Sequence, residues 1–488
     1  MTVSVARQAA RGVAWNMGAG VTVRAIGLIG TLVLTRFIAP AEYGEVSAAL
    51  ICVLTATRLF TFGLGPYVIV HRASPGEAFQ ALVCHVTAIA AACIGVVLLR
   101  EPLGAALGSP GMVRFLPGLA LATLITQASH IPSATLVRSL RFRVVALSRA
   151  AGDVGFTAVS LILAPVWGAA AIVAGNLCRA LVTSCLLIAR SNKADWLCPV
   201  ALRWQTARKA LAFGFPLTAA SLAETLATSG DNLLVSRLFG PKVMGQYNLA
   251  YNLASTPTGQ VAEHIGDVLL PIFARMTVEQ RHRALPRAVG LMSLLLFPLS
   301  VGLAAVSRTL VPALLDPRWI ELAPMLEILC ALALPYPVTW LVGAFLAAEG
   351  RTTPLMGLSF LKAVLVFALI LTVGRMGPTW ACAGVALAFA LFAVAYLIVG
   401  WRLAGIQPKP LLAATVRPLV ASAVMFAAVV GARGMAVGAS GLQPGVVRLA
   451  LEVTVGGLTY AGAALALARP AVMELIHLSA GVLAGKKD

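Results

Sequence analysis

Charge is scarce in this chain. Only 11% of its 488 residues are Asp, Glu, Lys or Arg, against about 25% in soluble domains. No polar stretch is long enough to hold a soluble domain. The longest connection between apolar segments, Ser191 to Ala207, is far too short for a core. Acidic residues are scarcest, 18 Asp and Glu against 37 Lys and Arg. The eight cysteines form no CxxC pair, so neither a thiol redox motif nor a zinc ribbon is indicated, and those within spans read as small hydrophobes. There is no GxGxxG after a strand, no GxxxxGK[ST] and no HExxH, and no Ser/His/Asp set has a defensible spacing. Nucleotide-driven and catalytic chemistry have no motif to rest on. The N-terminus lacks the short apolar region and cleavage site of a signal peptide and runs straight into a full-length apolar segment.

What the chain has instead is apolar length. It is 59% hydrophobic with a mean hydropathy of +0.91, and stretches of about 20 residues follow one another from Val13 to Ala468, the length a helix needs to cross a bilayer. Inside lipid every backbone N–H and C=O must be satisfied within the protein, so serial stretches of this kind mean helices. The fold class expected is an all-α polytopic membrane protein with about fourteen transmembrane helices. The spans expected are 12–35, 46–70, 78–99, 114–137, 145–164, 168–189, 209–236, 246–273, 285–307, 320–346, 353–374, 378–400, 411–432 and 446–468, numbered 1 to 14 below.

The net charge of +19 is a topology signal rather than a sign of nucleic acid. Alternate loops carry most of the cations: Arg138, Arg141, Arg143 and Arg149; Arg203, Arg208 and Lys209; Arg275, Arg281, Arg283 and Arg287. The positive-inside rule puts those loops and both termini in the cytoplasm, with a secondary attraction to anionic lipid.

The chain also repeats itself. Leu32-Val33-Leu34-Thr35-Arg36-Phe37-Ile38-Ala39-Pro40, continuing to Gly44, is answered by Leu233-Leu234-Val235-Ser236-Arg237-Leu238-Phe239-Gly240-Pro241, continuing to Gly245, at a constant offset of 201. Each segment closes one span and opens the next. Two six-helix halves in the same orientation follow, as in transporters that rock two lobes about a central site. The organisation expected is an N-lobe over 1–200, a C-lobe over 201–404, and spans 13 and 14 with a tail over 405–488.

Of the cations inside spans, four stand out as away from every loop: Arg24, Arg58, Arg179 and Lys362. A mid-span Arg costs several kcal/mol on insertion scales unless it faces protein or water. Arg24 and Arg58, too deep to snorkel, are expected to face substrate, and Arg179 and Lys362 to be structural. Glu224 and Asp231 in span 7, seven residues apart, share a helix face, as do Glu263 and Asp267 in span 8. Shifted by the repeat offset, Glu224 falls beside Arg24 and Glu263 falls a turn beyond Arg58. One wall of a central cleft is therefore expected to be basic, suiting a pyrophosphate. The other is expected to be acidic, suiting sugar hydroxyls or a coupling H⁺ or Na⁺. Asp153 in span 5 is a further coupling or gating candidate. Pro216, Pro257, Pro298, Pro335 and Pro337 mark bends within spans. His85, His130 and His264 stand isolated in spans; for His85 and His130 a plain helix contact is expected.

Three stretches resemble the oligosaccharide (polysaccharide) flippase family, which shares a superfamily with multidrug and toxic compound extrusion transporters and lipid II flippases. They are Arg11-Gly12-Val13-Ala14-Trp15 through Leu34 to Gly44, Phe62-Gly63-Leu64-Gly65, and Phe213-Gly214-Phe215-Pro216 through Asp231 to Pro241 and Gly245 to Tyr251. The resemblance covers the first twelve spans. It implies a polyprenyl-pyrophosphate-linked oligosaccharide as substrate, moved by alternating access across the bacterial inner membrane for surface polysaccharide synthesis. It also implies a cavity lined by spans 1, 2, 7 and 8, where Asn16, Arg24, Arg58, Glu224, Asp231, Glu263 and Asp267 lie. A polysaccharide polymerase and a chain-length regulator are the expected protein partners, with no cofactor and no enzymatic step. Glu263 and Asp267 depart from the family's mainly cationic lining. The rival readings are a cation-coupled drug exporter of the same superfamily, a membrane-embedded polymerase or glycosyltransferase, and a scaffold for an export complex.

Overall fold

The computed structural model describes residues 27–440 and 445–474, at a few positions (263–272 among them) by backbone alone. Arg24 and Asn16 therefore lie outside the described residues, as do the side chains of Glu263 and Asp267. The described residues are mostly helical, and none of them forms a strand.

Nine of its helices are long and apolar enough to cross a bilayer, or up to eleven if each of two bent pairs counts as one span. This falls short of the fourteen expected, and the shortfall has local causes. Span 1 begins outside the described residues. Span 4 is divided at Ser129 into Leu116–Ala128 and His130–Arg138, neither long enough alone. Spans 7 and 8 are two helices within the stretch Trp204–Arg275, divided at Gly240 in the connection expected between them. Seventy-two residues of straight helix would extend about 108 Å at 1.5 Å per residue. Gly240 supplies a kink with φ 79° and ψ 176°, a conformation in which a side chain would be strained.

Helix starts are written in polar residues just ahead of the apolar runs. Ser74 and Glu77 form a reciprocal cap before span 3, the Ser74 N–H donating to Glu77 Oε2 at 2.8 Å. Thr277 and Gln280 repeat the device before span 9. The helices Pro75–Leu98 and Val278–Leu314 thus begin before the apolar stretches that betray them.

By contacts the chain divides into two compact units, Met1–Gly245 and Gln246–Asp488. One core of the first unit gathers Leu64, Tyr67, Val68, Ala78, Ile131 and Trp196. The second unit centres on Phe273, Met292, Leu341 and Phe345. Over its most apolar 18 residues the span Leu322–Ala348 is 56% buried, against 17% in both Thr353–Met376 and Val446–Leu467, so the first is the more interior helix and the others present apolar faces outward. Ile162, Val166 and Leu458 are among the exposed hydrophobics, the outward surface that acyl chains would cover. In span 10 the helix tightens to a 3-10 turn over Cys330–Ala333 and restarts at Tyr336. The turn lies just ahead of Pro335 and Pro337, where a bend was expected, and Ser300 donates to the Cys330 carbonyl there.

Candidate functional site

The repeated segments meet within the first unit. A Cβ at Gly44 would strike the Pro241 carbonyl and lie 2.9 Å from the Gly245 nitrogen. A Cβ at Gly245 would strike the Pro40 carbonyl and lie 2.9 Å from the Gly44 nitrogen. Residues that correspond in the repeat therefore pack on one another reciprocally, as across a two-fold contact. Only glycine permits that approach. Ser236 adds a hydrogen bond from its Oγ to the Leu107 carbonyl, 2.9 Å.

Span 2 is broken. Helix Pro40–Leu59 and helix Leu64–Val70 meet at 49°. Between them Phe62 (φ 46°) and Gly63 (φ 54°) are left-handed. The break rests on span 7, where Gly214 packs so closely that a Cβ there would strike the Phe62 carbonyl. Arg58 is exposed and lies in the last turn of the first half-helix. Its carbonyl accepts the Thr61 hydroxyl at 3.0 Å. A half-helix ending inside the span points its carbonyl end at this position, which offsets part of the cost of a deep guanidinium.

The acidic candidates fare differently from one another. Glu224 is exposed, but Asp231, on the same face, is 1% exposed. Asp231 Oδ1 accepts the Asn232 backbone N–H at 2.8 Å and its side-chain N–H at 2.9 Å. Asp153 pairs with Arg179 at 3.0 Å, and Arg179 also lies 4.2 Å over the Phe156 ring, giving Arg179 the structural partner expected of it. Lys362, 8% exposed, sits over Phe389 at 4.8 Å and Phe392 at 5.6 Å.

Two features were not anticipated from the sequence. His85 and His130 are not isolated: their rings stack at 4.6 Å with 19° between planes. In the second unit, fully buried Glu452 is shared by Arg433 and Arg448, each at 3.3 Å, and accepts the Thr309 hydroxyl at 2.7 Å. Arg448 and Glu452 are four residues apart in span 14, a spacing that could have revealed the pair. Among the described residues no group of three His, Cys, Asp or Glu could hold a metal ion.

The family model for polysaccharide biosynthesis proteins matches residues 33–324, which includes both repeated segments and the broken span 2. The chain belongs to this family. The lipopolysaccharide biosynthesis protein WzxC of Escherichia coli K12 is 25% identical over 86% of this chain and 85% of its own length. The succinoglycan biosynthesis transport protein ExoT of Rhizobium meliloti is 25% identical over 69% of this chain and 70% of its own. Among solved structures, the lipid II flippase MurJ in an inward closed conformation matches with a TM-score of 0.77 at 13% identity, over 94% of this chain and 99% of that one. An inward-facing multidrug resistance MATE transporter matches at 0.60 and 14% identity, over 78% and 94%. At these identities the solved structures establish the fold, and this polysaccharide biosynthesis family member has the fold of flippases and exporters.

Proposed function

We propose that this protein is a flippase that carries polyprenyl-pyrophosphate-linked oligosaccharide units from the cytoplasmic to the periplasmic leaflet for surface polysaccharide synthesis. It is a transporter, not an enzyme. Its relatives of known role are named for lipopolysaccharide and succinoglycan biosynthesis, the second as a transport protein. The observation that carries the reading is Arg58: an exposed cation at a break in mid-span, in a family whose named members serve lipopolysaccharide and succinoglycan biosynthesis. A guanidinium offers paired N–H donors that match pyrophosphate oxygens.

On this reading Arg24 joins Arg58 in holding the pyrophosphate, and Asn16 is a further substrate-binding residue. Glu224, Asp231, Glu263 and Asp267 serve sugar hydroxyls or a coupling H⁺ or Na⁺, with Asp153 a further coupling candidate. The lipid tail stays in the bilayer while the head group crosses a hydrated cleft between lobes 1–200 and 201–404. The protein resides in the inner membrane with both termini cytoplasmic, alongside a polymerase and a chain-length regulator. The likeness to a MATE fold keeps a drug exporter as the second reading, and Arg58 speaks against it, because cationic drugs are repelled by a deep guanidinium. Transbilayer movement of a polyprenyl-pyrophosphate-linked oligosaccharide in vesicles holding the purified protein decides between them. Movement supports the flippase; cation efflux without it supports the exporter.

A further inference from the structure

We propose that the stacked His85–His130 pair is a proton-binding site that governs the break in span 2. The proposal deepens the transporter reading and rests on it for its purpose, since it names a proton site for energy coupling. It turns from carboxylates to a pair of imidazoles.

The geometry is that of two broken helices meeting at two rings. His130 opens the second half of span 4, immediately after the interruption at Ser129. His85 lies in span 3 and is 0% exposed. Its Nε2 is 3.0 Å from Gln127 Oε1, which accepts from the ring in the Nε2–H tautomer. Its Nδ1 makes no hydrogen bond, although the ring lies close enough to the Thr61 backbone to feel it. Thr61 is inside the break of span 2. On the far side of the break, a Cβ at Gly65 would come within 2.6 Å of His130 Nε2. The rings thus press on both ends of the left-handed turn that divides span 2.

The charges around the pair set the direction of the effect. The helices packed on the second half of span 4 include span 2, which carries Arg58, and span 5, which carries Arg149. Two imidazolium rings stacked at this distance would repel each other in a low-dielectric site, and a single one would be repelled by both arginines. The packed arrangement therefore holds neutral rings. A proton is taken up only where the rings part or water reaches them, which requires the half-helix Leu64–Val70 to move off His130. An unbonded, sealed Nδ1 is where that proton would be accepted. Arg58 adds a link to the cargo: an anion on that guanidinium removes one of the charges opposing protonation, so head group and proton favour each other.

The test reads span 2 directly. Spin labels are placed at Val70→Cys and Leu98→Cys, both exposed, in protein whose eight native cysteines are replaced. Double electron–electron resonance in lipid nanodiscs is then compared at pH 8 and pH 5.5. The expected result is a second distance population that grows on acidification, by up to about tenfold per pH unit for a one-proton linkage, and that is lost in His130→Gln and in His85→Gln. A wild-type distribution identical at both pH values overturns the proposal without recourse to any variant, and so does a pH response that survives both substitutions. Vesicle transport by the wild-type chain separates the two readings. Labels that respond to pH without transport of lipid-linked oligosaccharide leave the proton site standing and remove the flippase. Transport without a pH response does the reverse.

Discussion

Two sets of intramembrane charge are handled in opposite ways. In the Glu452 cluster of the second unit the charges are sealed: Glu452 is fully buried, Arg448 and Arg433 keep 7% and 18% of their side chains exposed, and elsewhere in that unit Lys362 lies against two phenyl rings. At Arg58 and at the Asp153–Arg179 pair of the first unit they keep an open face. Arg58 is exposed beside a helix break, and the Asp153–Arg179 pair leaves 44% and 40% of its side chains accessible. Sealing a charge demands complete partners and fixes the helices that supply them. Leaving it open demands water or a ligand and leaves the helix free to bend. The second arrangement is the one an anionic head group can use.

Substitutions sharpen the contrast in descending order. Glu452→Gln should have the largest effect on stability, about 3–5 kcal/mol, because it strands two buried guanidinium groups. Replacing Arg433, Arg448 and Glu452 together by apolar residues should recover most of that loss. Thermal unfolding of the detergent-solubilised protein measures both, and an equal loss in the triple variant would break the account of this cluster. Next come Gly44→Leu and Gly245→Leu, expected to cost about 1–3 kcal/mol or more through overpacking. The reciprocal contact requires the two to be similarly damaging. Gly431→Ala, at a helical position where a Cβ meets nothing within 4 Å, is the control and should stabilise by up to about 1 kcal/mol. Asp153→Asn should cost about 1 kcal/mol or less, since both partners of its ion pair are more than a third exposed. If it costs as much as Glu452→Gln, the two clusters do not differ in the way argued.

Much of this was legible from residue order. Apolar length gave the helical membrane class, and the repeat around Pro40–Gly44 and Pro241–Gly245 picked out the glycines that touch. The breaks were harder to read. Span 4 has no glycine at Ser129, and its interruption depends on what packs beside it. Spans 7 and 8, by contrast, read as two segments, and Gly240 divides them within the connection expected between 236 and 246. Charge was legible by depth but not by partner. Arg179 could be placed inside span 6, but only packing showed that Asp153 answers it. Glu224 and Asp231 share a face by spacing, yet one is open and the other sealed, because a helix face passes through different surroundings along its length. The histidines were missed for the same reason: residues 85 and 130 are far apart in sequence, and nothing local in either helix predicts that the rings will stack.

The most direct test of the central claim is the rate at which vesicles containing Arg58→Ala translocate a polyprenyl-pyrophosphate-linked oligosaccharide, set against wild type at equal protein content. Because Arg58 is exposed, the variant should unfold within about 0.5 kcal/mol of wild type. The account predicts that its transport nevertheless falls by about tenfold or more, the loss of a charge-assisted contact of roughly 1.5–3 kcal/mol. Wild-type rates in the folded variant would contradict it.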